Sequence, residues 1–386
     1  MAGQPTSSSP NPGHILVRGV NWLGDAVMTT PALLRLREKF PGAHIMLLTP
    51  EKLADLWQGH PAVNETVSFT SGESLFAVAK KLRAEKFDRA LVLPNSPRSA
   101  LEVFLARIPQ RVGYARPWRN LFLTQTIASR PEAMKMHKRS VAEIKQLVSA
   151  DVSRRQTSVT RVLTDTATSA HQIHEYLHLV AALGANPEPL APQLFVMPEE
   201  VEAARKKFGL EKISGPVFGL NPGAEYGPAK RWPVEQFIAA AQQIQSRTNC
   251  VWLLLGGKND EATTAQIQSA IGTARPASGR QSAINFAGKT TLRELMALLK
   301  LCRVLLTNDT GPMHVAAALG TPVVVPFGST SPELTGPGLP GDPRHHLLKS
   351  NAPCSPCFLR ECPIDFRCMN GIGVEQVVEA VLDAAR

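Results

Sequence analysis

The sequence has no apolar run long enough to form a membrane helix. In a chain of 386 residues, the longest candidates are Cys250–Leu255 and Val323–Phe327, each of strand length. A spanning helix needs about 18 or more consecutive apolar residues. An apolar signal segment is lacking too. Met1–Gly13 is rich in Pro, Ser and Gly and is expected to be a disordered tail rather than a targeting peptide. The chain is therefore expected to stay in the cytosol. None of the three chemistry-bearing loops taken up below matches a G-x-G-x-x-G fingerprint or a Walker A pattern, which leaves a nicotinamide enzyme or a P-loop NTPase without support. Aromatic residues are only 6% of the chain, and no nucleic-acid-binding motif accompanies its positive charge, so nucleic acid is not an expected partner.

What is present is ordinary globular material in an alternating order. The apolar fraction of 44% is enough for sizeable cores, and the length suits two domains of about 150–200 residues each. Short apolar runs such as HILVRG (14–19), HIMLLT (44–49), CVWLLL (250–255) and VLLT (304–307) read as strands. Segments with helical spacing follow them, for example Leu33, Leu36 and Phe40. Strand–helix alternation implies a parallel sheet covered on both faces. The proline-rich stretch 186–198 marks the expected boundary. The domains are read as 14–190 and 191–373, followed by a terminal helix 374–386 that would pack back on the first domain. The fold class expected is α/β, two Rossmann-like doubly wound domains facing across a cleft, with ligands beyond the carboxyl ends of the strands.

Charge is unevenly spread. The chain carries +10 in total, and the segment Arg98–Arg161 holds 13 Lys/Arg against 4 Asp/Glu. So focused a segment suits an anionic partner, although a merely solvated surface has the same composition.

Three loops carry the residues that matter for chemistry. In the first, Gly19–Asp25, Asp25 stands where strand gives way to helix. It is placed either to cap that helix or to act as a general base, and Gly24 leaves room for a close approach by an acceptor. The second, Asn221–Pro233 (NPGAEYGPAKRWP), ends with Lys230 and Arg231 just before a helix that begins at Pro233. Cations and free amide groups at a helix start suit a phosphate. The third, Thr307–His314, offers backbone amides for a diphosphate and Asp309 for sugar hydroxyls. His314 is either a phosphate contact or a core histidine. Near the C-terminus, Cys354, Cys357, Cys362 and Cys368 fall within 15 residues. Such thiols are either free in a loop or a structural zinc or iron–sulfur ligand set. Lasting disulfides are not expected in a reducing cytosol.

The stretches HILVRGVNWLGDAVMTTPALLRLREKFP, LVLPNSPRSAL, NPGAEYGPAKRWP and TNDTGPMHVAAALGTPVVVPFGSTSP together resemble the family 9 glycosyltransferases, which use ADP-heptose to build the lipopolysaccharide inner core. The likeness runs over residues 14–335 and the terminal helix. It implies a GT-B fold and an inverting transfer of L-glycero-D-manno-heptose that needs no catalytic metal or other cofactor. The LPNS segment favours the member that adds the second heptose; members adding the first or third heptose are alternatives, as is a non-catalytic module that binds nucleotide-sugars or anionic lipids. Carried over by position, the resemblance makes Asp25 the base and Lys230 the cation that neutralises the leaving diphosphate. It implies donor contacts at Gly223, Ala224, Arg231, Asp309, Thr310, Gly311, Met313 and His314, with Asp260 as the ribose-contacting acid. Acceptor contacts are expected at Asn21, Trp22, Gly24, Asn95, Ser96 and Arg98. The implied partners are ADP-heptose and a heptosyl-Kdo2-lipid A acceptor, with peripheral contact to the anionic inner membrane.

Overall fold

The structure is a computed structural model and describes residues 13–134, 136–150, 159–161, 168–273 and 282–386. The expected tail, apart from its last residue, and parts of the basic segment lie outside the described residues. The chain divides into two units. The first comprises 1–22, 29–131 and 173–189; the second comprises 23–28, 132–172 and 190–386.

The first unit is built on strands β1 (His14–Arg18), β2 (His44–Pro50), β3 (Glu65–Phe69), β4 (Arg89–Val92), β5 (Gln110–Tyr114) and β6 (Gln125–Ile127). They lie in the order β3-β2-β1-β4-β5-β6 and every pairing is parallel. The apolar runs are continuous because both sheet faces are covered. Leu16, Met46, Ala90 and Val92 face a core that also takes Val78 and Leu82 from the helix Leu75–Arg83, and Ala100 and Val103 from the helix Pro97–Leu105. Ser74 and Ser96 cap these two helices, accepting from Ala77 N at 3.2 Å and Ser99 N at 3.3 Å. Each such cap is worth about 1 kcal/mol.

The second unit carries β7 (Val159–Arg161), β8 (Val217–Asn221), β9 (Val251–Leu254), β10 (Ala283–Asn285), β11 (Leu305–Thr307), β12 (Val323–Phe327) and β13 (His346–Ser350). The order is β10-β9-β8-β11-β12-β13-β7; all pairings are parallel except the edge strand β7, which runs antiparallel to β13. Its core is centred on Trp232, Phe237, Trp252, Leu254 and Val378. The terminal helix Val374–Ala384 packs on the helix Val234–Thr248 and on β12 and β13, all within this unit.

One local difference from the sequence reading places a functional residue. The single helix expected after the first loop is two helices, Leu23–Met28 and Thr30–Lys39. Pro31 explains the break: lacking an N–H, it fits a first turn and not a helix interior. Asp25 therefore sits inside a short helix rather than at a cap, and that helix belongs to the second unit.

Candidate active site

The site is assembled at the carboxyl ends of β8 and β11, where two loops are tied together by their own side chains. Asn221 Nδ2 donates to Thr307 Oγ1 at 3.0 Å. Asn308 donates to the Pro222 carbonyl at 2.7 Å and accepts from Trp232 N at 2.9 Å. All three polar residues are buried, and a buried network of this kind fixes its members tightly because unmade bonds are costly.

That frame sets Lys230 against Asp309. Lys230 Nζ lies 2.7 Å from Asp309 Oδ2, and the same oxygen accepts from Thr330 Oγ1 at 2.5 Å. Asp309 is 3% exposed, so its charge is held by these two donors rather than by water. The Tyr226 ring lies 5.1 Å from the Lys230 ammonium, within cation–π range. Arg360 braces this loop from the cysteine-rich segment: its guanidinium donates to the Tyr226 carbonyl at 2.7 Å, and its own carbonyl accepts from Ala229 N at 3.0 Å. Arg231 is exposed and reaches back to the Ala224 carbonyl at 3.4 Å. Gly223 is buried with the Asp260 carboxylate directly against it, and Asp260 accepts from Gly257 N at 2.9 Å. The expected donor residues Gly223 and Asp260 thus lie together.

Asp25 is half-buried and accepts from Gln172 Nε2 at 3.3 Å. Its pKa is raised to about 6. Burial is the main cause; the Gln172 bond and the positive charge of Lys230 pull the other way, and Asp309 adds to the rise. A carboxylate so placed is partly protonated near pH 6 and a stronger base than an exposed aspartate.

His314 belongs to the helix Gly311–Ala318 and lies under Gly24: a Cβ at position 24 would stand 2.7 Å from the His314 Cδ2. Gly311 is close to Leu23 in the same manner, at 2.8 Å. Both glycines are needed for these two helices to approach. His314 is 5% exposed and burial lowers its pKa to about 4. It is a neutral imidazole at pH 7, shaped to pack against the Asp25 helix. Met313 is fully buried, while Thr310 and Gly311 at the helix start are half-exposed.

The expected acceptor residues, apart from Gly24, lie in the first unit. Asn21 accepts from Arg18 at 3.0 Å, and Trp22 is 51% exposed with Lys52 Nζ 5.5 Å from its ring. Asn95 accepts from Arg119 at 3.2 Å. Ser96 is the helix cap already described, and Arg98 is occupied by Glu102 at 3.2 Å and the Glu73 carbonyl at 2.7 Å. Gln172, Thr330, Tyr226 and Arg119 were not among the sequence candidates.

Of the two readings of Cys354, Cys357, Cys362 and Cys368, free thiols or a metal set, the metal set finds no support. Among the described residues no group of three or more His, Cys, Asp or Glu is arranged to hold a metal ion. Cys354, Cys357 and Cys368 are packed into the apolar core of the second unit, and burial raises their thiols, Cys368 to about 12. Cys362 Sγ accepts from Phe366 N at 3.3 Å.

A profile described as glycosyltransferase family 9 (heptosyltransferase) matches residues 75–366, well over half of the chain. The chain belongs to glycosyltransferase family 9. This family 9 glycosyltransferase is 31% identical over 336 residues to lipopolysaccharide heptosyltransferase 2 of Escherichia coli, covering 84% of this chain and 85% of that protein. It is 30% identical over 332 residues to lipooligosaccharide heptosyltransferase 2 of Haemophilus influenzae, covering 84% and 86%. The solved structure of E. coli ADP-heptose lipopolysaccharide heptosyltransferase II matches it with a TM-score of 0.72 at 27% identity, over 96% of this chain and 98% of that one. The two doubly wound units are those of a GT-B glycosyltransferase. Among the described residues no helix is long and apolar enough to cross a membrane.

Proposed function

We propose that this glycosyltransferase moves L-glycero-D-manno-heptose from ADP-heptose to the first heptose of a lipopolysaccharide inner core, acting as a cytosolic enzyme with inversion and without a catalytic metal. The observation that carries the reading is the pairing of a base and a cation in one unit: Asp25, raised to about 6 by burial, feels the charge of Lys230. Asp25 takes the acceptor hydroxyl proton as that oxygen bonds to the anomeric carbon. The bond from that carbon to the diphosphate breaks, and ADP leaves with the electron pair. Negative charge then grows on the diphosphate, where Lys230 and the amide groups at the start of the Gly311–Ala318 helix stabilise it. Attack and departure on opposite sides of the anomeric carbon give inversion. Asp309 holds Lys230 in place before the donor arrives and accepts from sugar hydroxyls once the cation turns to phosphate.

Incubation with ADP-heptose and a truncated one-heptose core acceptor, read by mass, tests the reading: one added heptose supports it. Transfer from UDP- or GDP-sugars in preference, or no transfer with donor bound, counts against it. A chelator such as EDTA is expected to leave the transfer rate unchanged, and a loss restored by added metal would contradict the metal-free step.

The acceptor carries carboxylates and phosphates and resides in an anionic membrane. Between residues 97 and 131 the chain has Arg98, Arg107, Arg111, Arg116, Arg119 and Arg130. The only acid in that stretch, Glu102, is buried and paired with Arg18 and Arg98. The KM for a charged acceptor is expected to rise as salt increases from about 20 to about 300 mM, over which the screening length falls from about 20 Å to about 6 Å. A KM that does not move with salt assigns these arginines, the buried Arg119 apart, to an inert surface.

A further inference from the structure

Among the described residues Arg119 is a buried cation without a counter-charge. Its side chain has no exposure, and its Nη1 donates to the Tyr114 carbonyl at 2.9 Å and to Asn95 Oδ1 at 3.2 Å. Among the described residues, Nε and Nη2 have no hydrogen-bond partner and no carboxylate pairs with the guanidinium. Burial, with the positive charge of Arg116 adding to it, lowers the pKa of Arg119 to about 10. Room for the guanidinium depends on Gly113, since a Cβ there would lie 2.9 Å from Arg119 Nη2. A buried, uncompensated cation is costly to keep, and each unpartnered buried donor calls for an explanation.

The surroundings supply one. β1, β4 and β5 are adjacent and parallel, so the loops after them (19–22, 93–96 and 115–121) share one edge of the first unit's sheet. Asn95 is exposed on the second of these loops. Because its Oδ1 faces the guanidinium, its NH2 group is the end left to donate elsewhere. The neighbouring Trp118 is 80% exposed and held at φ +64°. A bulky residue rarely adopts this left-handed conformation, which costs on the order of one hydrogen bond and persists at functional positions. An aromatic face and an outward-facing amide polarised by a buried cation match a saccharide that bears an anionic group.

We propose that Asn95 and Trp118 form an anion-and-ring subsite for the acceptor saccharide, with Arg119 as the positioning residue that turns and polarises the Asn95 amide. The subsite rests on the heptose-transfer reading for the identity of its ligand, which presents a carboxylate or a phosphate.

The most discriminating variant is Asn95→Asp. It keeps the shape, gives Arg119 the carboxylate it lacks, and presents negative charge to the ligand. Its Tm is expected to hold or rise, while the KM for the charged acceptor rises about 10- to 100-fold, the range of a hydrogen bond to a charged group. The KM for ADP-heptose is expected to stay put. Arg119→Gln should raise the acceptor KM and Arg119→Lys should recover part of it. Trp118→Ala should raise the acceptor KM without touching the donor. Acceptors with reduced carboxyls or removed phosphates identify the anion: the one whose loss abolishes the Asn95→Asp effect is the ligand group. Equal acceptor KM values for wild type and Asn95→Asp overturn the proposal. So does a drop in Tm with no split between acceptor and donor. Acceptor affinity measured calorimetrically without donor gives the same comparison if no turnover is found, so failure of the subsite and failure of the transfer reading remain distinct.

Discussion

Asp25→Asn is expected to lower kcat by about 10²- to 10⁴-fold, the usual cost of removing a general base, while ADP-heptose binds with unchanged affinity. The amide keeps the size of the side chain and its bond from Gln172 but cannot take the acceptor proton. The wild-type enzyme is expected to show an acid limb in kcat/KM centred near pH 6, because Asp25 must be ionised to act and its pKa is about 6. Gln172 lowers that pKa, so Gln172→Leu should move the limb upward. A limb that stays in place would assign the titration to another group. Stability follows from the same shift with the opposite demand. The folded state holds the Asp25 proton more tightly than the unfolded chain, whose value is 3.8. The favourable contribution is therefore complete below about pH 3.8 and is lost as pH rises through about 6. At about pH 8 the wild type carries a half-buried carboxylate that the Asp25→Asn variant does not. The variant is thus expected to melt higher than wild type at that pH, with the gain shrinking as pH falls below 6. A base kept at some cost in stability is what a catalytic carboxylate looks like.

Lys230→Met is expected to lower kcat by about 10²- to 10³-fold, the scale seen when one preorganised charge-stabilising group is removed from a developing anion. It is also expected to destabilise the fold, since Asp309, at 3% exposure, would keep only Thr330 as a side-chain donor among the described residues. Removing one partner of a buried pair costs about 3–5 kcal/mol. The double variant Lys230→Met, Asp309→Asn separates these effects. It should recover most of the lost Tm, because no unpaired carboxylate remains, and none of the lost turnover, because the leaving diphosphate still meets no cation. Recovery of turnover along with Tm would mean that Lys230 acts only as the structural partner of Asp309.

How far the sequence could be read depended on how local each feature was. The strands with continuous apolar runs, such as HILVRG and CVWLLL, announce parallel sheets because burial on both faces leaves no polar alternation. Loops leading from them stood out by Gly, Pro and charge, which brought Asp25, Lys230 and Asp309 forward. Pairings across the fold were not legible. Gln172 reaches Asp25 over a separation of 147 residues, and nothing in its neighbourhood marks it. Thr330 lies in a Gly-Ser-Thr turn, and its partner Asp309 comes from a different loop. The assignment of 23–28 and 132–172 to the second unit was equally hidden, since a chain that leaves a unit and returns to it carries no local signal at the crossing. The cysteine spacing suggested a metal because four thiols in 15 residues is a local pattern. The same pattern fits free thiols, and Cys354, Cys357 and Cys368 are packed into the core. Trp118 and Arg119, side by side in sequence, have opposite fates, one in solvent and one without exposure.

The central claim is that one half-buried carboxylate and one loop cation in the second unit drive heptose transfer. Its most direct test is mass analysis of a one-heptose core acceptor after incubation with ADP-heptose at pH 7.5, comparing wild type with Asp25→Asn at equal donor occupancy. A single added heptose is expected with the wild type and, over the same time, at most about one-hundredth as much with the variant. Full conversion by Asp25→Asn would contradict it.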